Sequence, residues 1–333
     1  MRLDTPRWWY LRRNAPAPVA RTLLRPLSWI WAWAGARRIA RSRPLDPGAP
    51  VICVGNLTMG GAGKTPVVRE ILRRLRRNGV EAHALSRGHG GRLQGPLRVD
   101  PARHAAADVG DEPLMLARDG PAWISRDRAA GAVAAVAAGA QAVVMDDGHQ
   151  NPSLCKTLSL VVVDGETRDD EWPFGDGAVF PAGPMREPLA AGLARADAVV
   201  LLLPVGMDAA DPELLAQLAS RPVLIARLAA AAPPPAGPQL GFAGVAKPWK
   251  VERALQAAGC DLVDFAGLPD HAPLDERLLR ALARRAGLFG AGLVTTEKDW
   301  ARLPPGWRER VSAWPVRVEF EDEAALDQLL AGR

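Results

Sequence analysis

Cysteines and long apolar runs are scarce in this chain of 333 residues. The three cysteines, Cys53, Cys155 and Cys260, lie far apart and form no C-x-x-C pair, so neither a disulfide framework nor a zinc site is indicated, and a reducing cytosol fits. The apolar stretch at residues 27–36 is shorter than the ~20 residues needed to span a bilayer, and it lacks a small-residue cleavage pattern. We therefore expect neither a spanning helix nor a secretory signal.

The most informative segment is a glycine-rich loop between an apolar strand and a helix. Residues 51–66 read VICVGNLTMGGAGKTP, and the glycines allow backbone N–H groups to point at phosphate oxygens. Lys64 can neutralise charge near a transferring phosphoryl group, and the Thr65 hydroxyl can hold magnesium. This order of elements favours a phosphate loop over a flexible glycine turn, although Thr58 replaces the first glycine of G-x-x-x-x-G-K-[ST]. The predicted nucleotide-binding residues are Thr58, Met59, Gly60, Gly61, Ala62, Gly63, Lys64 and Thr65.

The chain beyond the loop predicts an α/β fold. Val68, Ile71, Leu72 and Leu75 follow helical spacing, and we expect the arginines between them, including Arg74, to turn away from the core. Helical stretches alternate with apolar strands near residues 80–85, 141–145, 158–163 and 198–203. This alternation is typical of a parallel sheet with helices on both faces.

A proline-rich connector divides the chain into two units. Residues 229–238 read AAAAPPPAGP, the stiff composition of a domain boundary. At 48% hydrophobic content the chain can bury two cores, and we find no internal repeat that would indicate a solenoid. We expect an N-terminal interfacial helix at residues 1–45, a P-loop domain at 46–230 and a smaller α/β domain at 239–328.

Positive charge is concentrated at the N-terminus. Residues 1–50 hold ten arginines and two aspartates, a net charge of +8, so the remainder carries −3 of the total of +5. Tryptophans are interleaved with these arginines, at Trp8, Trp9, Trp29, Trp31 and Trp33. The pattern favours a helix at an anionic membrane surface. A helix packed on the domain and a nucleic-acid site are the alternatives, and we expect no nucleic acid.

Several carboxylates follow apolar segments at positions where they could serve phosphoryl transfer. Asp146 and Asp147 end a predicted strand, as a magnesium-organising motif does, and at most one is expected to face the metal directly because side chains alternate along a strand. The alternative is an aspartate pair that begins an exposed turn. Taken alone, Asp111 would cap a loop, Glu187 would pair locally with Arg186, and His271 would be structural.

Seven short motifs, taken together, resemble a known family. They occupy residues 55–66, 86–88, 109–113, 146–148, 181–188, 269–271 and 296–299 and run in family order. The chain resembles the tetraacyldisaccharide 4'-kinases of lipid A biosynthesis, in which threonine also replaces the first loop glycine. The motifs are specific in the first domain and shorter in the second.

The resemblance implies transfer of the ATP γ-phosphate to the 4'-hydroxyl of a tetraacyldisaccharide 1-phosphate, at the cytoplasmic face of the inner membrane by a peripheral or monotopic protein. ATP and Mg²⁺ would be the cofactors, the glycolipid and the membrane surface would be the partners, and no obligate protein partner is evident. Lys64 would act on the phosphate, and Asp111 paired with His271 would activate the hydroxyl. The implied metal ligands are Thr65, Asp146, Asp147, Gln150 and Glu187. The implied substrate contacts are Arg87, His89, Arg128, Asn151 and Arg186.

Some residues depart from the family pattern. His89, His149 and Asn151 stand where tyrosine, an aromatic residue and histidine are usual, and we expect these positions near the substrate. Ala272 replaces a second histidine, so His271 is the imidazole left there. Two other functions stay open, a P-loop switch or partitioning ATPase and a soluble enzyme of the dethiobiotin-synthetase type. The N-terminal arginine and tryptophan segment argues against the soluble enzyme.

Overall fold

The computed structural model describes residues 6–12, 18–270 and 272–332. Its strands are β1 (Val51–Gly55), β2 (Ala82–Ser86), β3 (Leu97–Arg98), β4 (Ala122–Ile124), β5 (Ala142–Asp146), β6 (Leu158–Asp164), β7 (Ala198–Leu203), β8 (Val223–Ala230), β9 (Gln239–Ala243), β10 (Leu262–Gly267), β11 (Gly292–Thr296), β12 (Val311–Trp314) and β13 (Val316–Phe320). Its helices are α1 (Pro18–Arg41), α2 (Lys64–Arg77), α3 (Ala106–Val109), α4 (Asp111–Asp119), α5 (Arg128–Ala137), α6 (Leu189–Leu193), α7 (Pro212–Leu218), α8 (Pro248–Ala257), α9 (Glu276–Gly287), α10 (Glu297–Arg302), α11 (Pro305–Arg308) and α12 (Glu323–Ala331). A short 3₁₀ helix, Arg7–Tyr10, precedes them.

The larger sheet has nine strands in the order β13-β8-β7-β6-β1-β5-β2-β4-β3. Its strands pair in parallel except at the two edges, where β13 and β3 run antiparallel to their neighbours. Every residue of β1, β5 and β7 is buried, which explains why these strands read as unbroken apolar runs. The predicted α/β fold with a parallel sheet is confirmed. Since β1 lies between β5 and β6, the loop that follows it opens at the middle of the sheet edge.

Helix α2 packs one face on the large sheet. Val68, Ile71 and Leu72 are buried, as their spacing predicts. The prediction that Arg74 turns outward is wrong. Its side chain is buried, donates from Nη1 to Asp327 Oδ1 at 2.7 Å and pairs with Glu70. Arg74 is buried because carboxylates from α2 and α12 surround its guanidinium.

The smaller sheet has four parallel strands in the order β10-β9-β11-β12. The proline-rich connector joins β8, which ends at Ala230, to β9, which begins at Gln239. The end of the second unit differs from the expected one, because β13 pairs with β8 of the large sheet and Leu326 of α12 joins the large core. The smaller unit therefore lies between residues 231 and 315.

Helix α1 exposes large apolar side chains. Trp29 is 70% exposed and Trp33 61% exposed, and Leu23, Leu27 and Ile30 are also exposed. Apolar and basic side chains are not separated onto opposite faces of this helix. No helix in the described part of the chain is long and apolar enough to cross a bilayer.

Candidate active site

The loop after β1 has the backbone of a phosphate cradle. Gly60 and Gly63 adopt left-handed φ angles of 81° and 79°, which side chains rarely allow. A Cβ atom at Gly63 would also lie 2.5 Å from Cδ1 of Leu202, so a side chain there would displace Leu202 as well as strain the backbone. Helix α2 begins at the next residue, Lys64, and its first backbone N–H groups have no partner within the helix. These donors can bind an anion.

Contacts on both sides fix the first half of this loop. Asn56 Nδ2 donates to the Thr58 carbonyl at 2.9 Å, and Arg186 Nε donates to the same oxygen at 2.9 Å. The Met59 N–H donates to the Pro184 carbonyl at 2.7 Å. Thr58 is thus held through its backbone, and its side chain replaces a glycine without disturbing the turn.

Asp146 is the most unusual carboxylate of the site. It ends β5, is fully buried, and neither of its oxygens has a hydrogen-bond partner within the described residues. Burial, together with the nearby Glu112 carboxylate, raises the pKa of Asp146 to about 8, although Lys64 and Arg128 oppose the rise. A buried carboxylate without donors is stabilised by a bound cation. Asp146 therefore fits a metal ligand.

Asp147 has the opposite environment. Its φ angle of 53° turns the chain sharply after β5. Its Oδ1 atom lies 2.7 Å from Nη1 of Arg186 and 3.5 Å from Nζ of Lys64. Burial alone would raise the pKa of Asp147, but Lys64 and Arg186 lower it well below its usual range. Asp147 is thus ionised and orients two cations of the site.

Gln150 and Glu187 form one hydrogen-bonded pair behind these aspartates. Gln150 Nε2 donates to Glu187 Oε1 at 2.9 Å and to the Asn56 carbonyl at 2.9 Å. Arg195 donates to the other oxygen of Glu187. Across residues 6–12, 18–270 and 272–332, no three acidic, histidine or cysteine side chains form a ready-made metal cage. Mg²⁺ at phosphate sites needs only one or two carboxylates with phosphate and water, so the arrangement fits that ion.

Asp111 lies where the two units meet. It is the first residue of α4 and is buried, and its Oδ2 atom lies 3.8 Å from Nζ of Lys298 and 3.9 Å from Nε of Arg302. Lys298 Nζ also lies 3.9 Å from Asp270, and Arg302 Nη1 donates to the Ala272 carbonyl at 3.0 Å. His271 itself lies outside the described residues. Each of its two neighbours therefore contacts a cation that also lies near Asp111. The pairing of Asp111 with His271 stays a prediction.

The predicted substrate residues occupy different layers of the site. Arg128 is buried at the start of α5, where burial lowers its pKa to about 10 against the opposing effect of Asp147 and Asp146. Arg87 and His89 are exposed on the turn after β2. Asn151 accepts at Oδ1 from the Ser153 hydroxyl at 2.7 Å and from its N–H at 2.9 Å, so this side chain shapes its own turn.

The ring of His149, a residue that we expected near the substrate, is turned into the protein interior. Its ring is buried behind β1, where Nδ1 lies 3.1 Å from Ser159 Oγ and Nε2 lies 2.9 Å from the Gly192 carbonyl. Burial, with the nearby Lys156 charge, lowers the pKa of His149 to about 4. Burial thus keeps the ring neutral, and both of its nitrogens have partners in the core.

A cleft of about 540 Å³ separates the phosphate loop from the smaller unit. The loop forms one end of the cleft, at residues 61–66. Apolar side chains form its walls, from Leu202, Leu203, Val205 and Leu228 on one side and Val251, Ala254 and Ala257 of α8 on the other. The cleft has room for a nucleotide base and sugar beside the loop.

Comparison with known proteins identifies the family. The family model described as "Tetraacyldisaccharide-1-P 4'-kinase", LpxK, matches residues 20–333. The chain belongs to this family. The resemblance stated from its motifs is confirmed. Proteins named tetraacyldisaccharide 4'-kinase are similar over almost their whole length: one from Caulobacter vibrioides (strain NA1000 / CB15N) is 69% identical over 100% of this chain and 99% of its own, and one from Phenylobacterium zucineum (strain HLK1) is 70% identical over 100% of both.

A solved LpxK structure shares the fold. The LpxK of Aquifex aeolicus, crystallised in complex with ATP, is 23% identical to this chain with a TM-score of 0.72, and the match covers 94% of this chain and 99% of that one. At 23% identity, this likeness shows that the two chains share a fold.

An ion network beside the phosphate loop is absent from the residues predicted from the sequence. Asp164, at the end of β6, lies 3.0 Å from Nζ of Lys247 and also contacts Lys250. Lys247 in turn lies 2.8 Å from Glu171. The signal was present, because Asp164 follows a buried strand and Lys247 precedes Pro248 at the start of a helix.

Proposed function

We propose that the chain transfers the γ-phosphoryl group of ATP to the 4'-hydroxyl of a tetraacyldisaccharide 1-phosphate. The observation that carries the proposal is the placement of Lys64 and the fully buried Asp146 at one phosphate loop, in a chain of this kinase family. Membership of the family names the acceptor class, and the loop supplies the phosphate chemistry.

The phosphate loop would bind ATP through its backbone. The N–H groups at residues 60–65 would hold the β- and γ-phosphates, Lys64 would neutralise charge on the transferring group, and the apolar cleft walls would cover the base. Thr65 and Asp146 would hold Mg²⁺, with Asp147, Gln150 and Glu187 ordering its surroundings. When bound, Mg²⁺ neutralises the charge that develops on the phosphate oxygens.

Asp111 would accept the proton of the attacking hydroxyl. It stands at the start of α4, which packs against α10, and Lys298 and Arg302 of α10 are the cations nearest to its carboxylate. His271, on the segment between Asp270 and Ala272, would hold or tune this carboxylate. A paired base of this kind is typically worth ~10²–10⁴ in rate.

The substrate would approach from the exposed turn after β2. Arg87 and His89 lie on that turn, Arg128 lies buried behind it, and Arg186 bonds to Asp147. Arg87, Arg128 and Arg186 would contact the anionic glycolipid or the charge of the transition state. Asn151 would contribute through the turn it shapes.

The chain would act at a membrane surface, on the cytoplasmic face of the inner membrane. Support comes from the exposed tryptophans of α1 beside arginines such as Arg37, whose guanidinium lies 5.3 Å from the centre of the Trp33 ring. Tryptophans at headgroup depth and arginines against acidic lipids both favour attachment. An acyl-chain substrate presented by the same membrane would then be within reach of the site.

The decisive experiment is transfer of labelled phosphate. Full-length protein, γ-labelled ATP and Mg²⁺ are incubated with mixed micelles of a tetraacyldisaccharide 1-phosphate, and with soluble acceptors as controls. We expect label in the extractable glycolipid and none in the soluble acceptors. Label released only as inorganic phosphate would favour the switch ATPase, and label in a soluble acceptor would favour the soluble enzyme.

A further inference from the structure

Helix α1 docks on the loop of residues 179–187, and the buried residue Ser28 is part of this contact. Ser28 is only 5% exposed, although its neighbours Leu27 and Trp29 are 53% and 70% exposed. Its hydroxyl donates to the Val179 carbonyl at 2.7 Å and accepts from the Ala182 N–H at 3.2 Å. Ser28 therefore joins the two ends of the turn at residues 179–182.

Trp31, three residues further, reaches the end of the same loop. Its indole Nε1 donates to the Arg186 carbonyl at 3.1 Å, and its ring meets Phe180 edge-on at a centroid distance of 4.9 Å. Residues three apart lie on one side of a helix, so Ser28 and Trp31 form a single docking face. This face holds residues 179–186 at both ends.

The loop held by α1 in turn holds the phosphate site. The Pro184 carbonyl accepts from the Met59 N–H, and the Arg186 side chain donates to the Thr58 carbonyl and to Asp147. Glu187, the next residue, accepts from Gln150. A shift of this backbone would displace the groups that fix the phosphate loop and Asp147.

A second link runs from the short helix Arg7–Tyr10 to the phosphate loop. The Tyr10 hydroxyl donates to the Met59 carbonyl. Burial raises the pKa of Tyr10 to about 12, opposed by the nearby Lys247, so the hydroxyl keeps its proton and stays a donor at neutral pH. The N-terminal segment thus contacts the loop of residues 179–187 and the phosphate loop separately.

We propose that Ser28 and Trp31 are positioning residues for phosphoryl transfer, and that the helix which meets the lipid surface also orders Arg186 and Glu187. The reaction it serves rests on the proposed function. The exposed side chains that would meet lipid, among them Trp29, Ile30 and Trp33, belong to the same helix as this docking face. Membrane attachment and order in the active site then depend on one element.

Trp31→Phe tests the proposal, because phenylalanine keeps an aromatic ring beside Phe180 and removes only the indole donor. The matched control is Trp33→Phe on the same helix, at a side chain that is 61% exposed. Three properties of the full chain are measured. They are binding of the protein to phosphatidylglycerol-containing liposomes, amide hydrogen exchange at residues 179–187, and kcat and KM with the lipid acceptor in mixed micelles. Ser28→Ala is measured in parallel.

We expect Trp31→Phe and Ser28→Ala to speed exchange at residues 179–187 and to lower kcat by about 3- to 10-fold, the effect of one lost hydrogen bond, with little change in the KM for lipid. Trp33→Phe should weaken liposome binding while exchange at residues 179–187 stays at the wild-type value. Equal kcat and exchange in Trp31→Phe, Trp33→Phe and wild type would overturn the proposal. Exchange is measured without an acceptor, so it decides the positioning role even if wild type labels no glycolipid, a result that would refute the proposed function alone.

Discussion

Adjacent aspartates at the end of β5 show how strongly the surroundings of a residue determine its charge. Asp146 has no donor within the described residues, and burial raises its pKa to about 8. Asp147 contacts Lys64 and Arg186, which lower its pKa despite burial. The Asp146 carboxylate is thus available to bind a cation, whereas the Asp147 carboxylate is already paired with Lys64 and Arg186.

Asp146 should make the free protein less stable as the pH rises. Its folded pKa is raised, so its contribution to stability is complete below its ordinary pKa of 3.8 and is lost as the pH rises through about 8. We expect Asp146→Asn to have a higher Tm than wild type near pH ~9 and a smaller difference near pH ~5, measured by calorimetry without nucleotide or metal.

Asp147→Asn is the matched control for that experiment. Its folded pKa is lowered, so its contribution is present above its ordinary pKa and is lost on acidification. We expect this variant to be less stable than wild type at neutral pH. A Tm of Asp146→Asn below that of wild type at high pH would contradict the account of Asp146.

Lys64 and Thr65 should be essential for turnover. Phosphoryl transfer depends on positioning and on electrostatic stabilisation, so we expect Lys64→Ala and Thr65→Ala each to lower kcat by roughly 10²-fold or more. Initial rates of labelled glycolipid formation measure the effect, and circular dichroism verifies folding. A rate near that of wild type in either folded variant would refute the loop assignment.

Asp111 and His271 should behave as one unit. We expect Asp111→Ala and His271→Ala each to lower turnover by ~10²–10⁴ with ATP affinity nearly unchanged, and the double variant to lose little more than the worse single one. Turnover and ATP titrations of the three proteins measure this. Multiplicative losses, or an Asp111→Ala protein that fails mainly by losing ATP, would rule out a catalytic dyad.

At the scale of elements, α1 has two separable roles. Replacing Trp29, Ile30 and Trp33 together by serine removes exposed apolar area and leaves Ser28 and Trp31 in place. We expect the triple variant to bind liposomes weakly and to stay in the soluble fraction. Its Tm should lie within about 2 °C of wild type, since substitutions at exposed positions usually change stability little. Sedimentation with liposomes measures it, and a large fall in Tm would indicate that this face is packed in the protein.

Elements with a strong local signal could be predicted from the sequence. The strand, glycine turn and helix around Lys64 were predictable because apolar periodicity and left-handed glycines are local properties. The buried Arg74 was not, because its partner Asp327 lies on α12, more than 250 residues away in the chain. The inward ring of His149 was likewise hidden, since Ser159 and Gly192 become its partners only in the folded sheet.

At the scale of the whole molecule, Asp164 ties the two units together. Lys250 and Lys247 lower its pKa although burial would raise it, so its contribution to stability is present at neutral pH and is lost as the pH falls below its ordinary value. We expect Asp164→Asn to lower the stability at pH ~7 by roughly 2–3 kcal/mol, measured by urea unfolding. Asp169→Asn, at a mostly exposed ion pair, should cost under ~1 kcal/mol. Equal effects would show that the Asp164 contacts are not special.

The pairing of β13 with β8 places the smaller unit inside a hairpin. Ala230 and Val316 are direct partners in the sheet, and the Ala231 N–H donates to the Pro315 carbonyl at 2.9 Å. Residues 231–315 therefore leave and re-enter the large sheet at one point, as an insertion at the tip of a β-turn does. Because the two ends of this stretch meet, a two-residue turn could join β8 directly to β13 without re-routing any other strand of the large sheet.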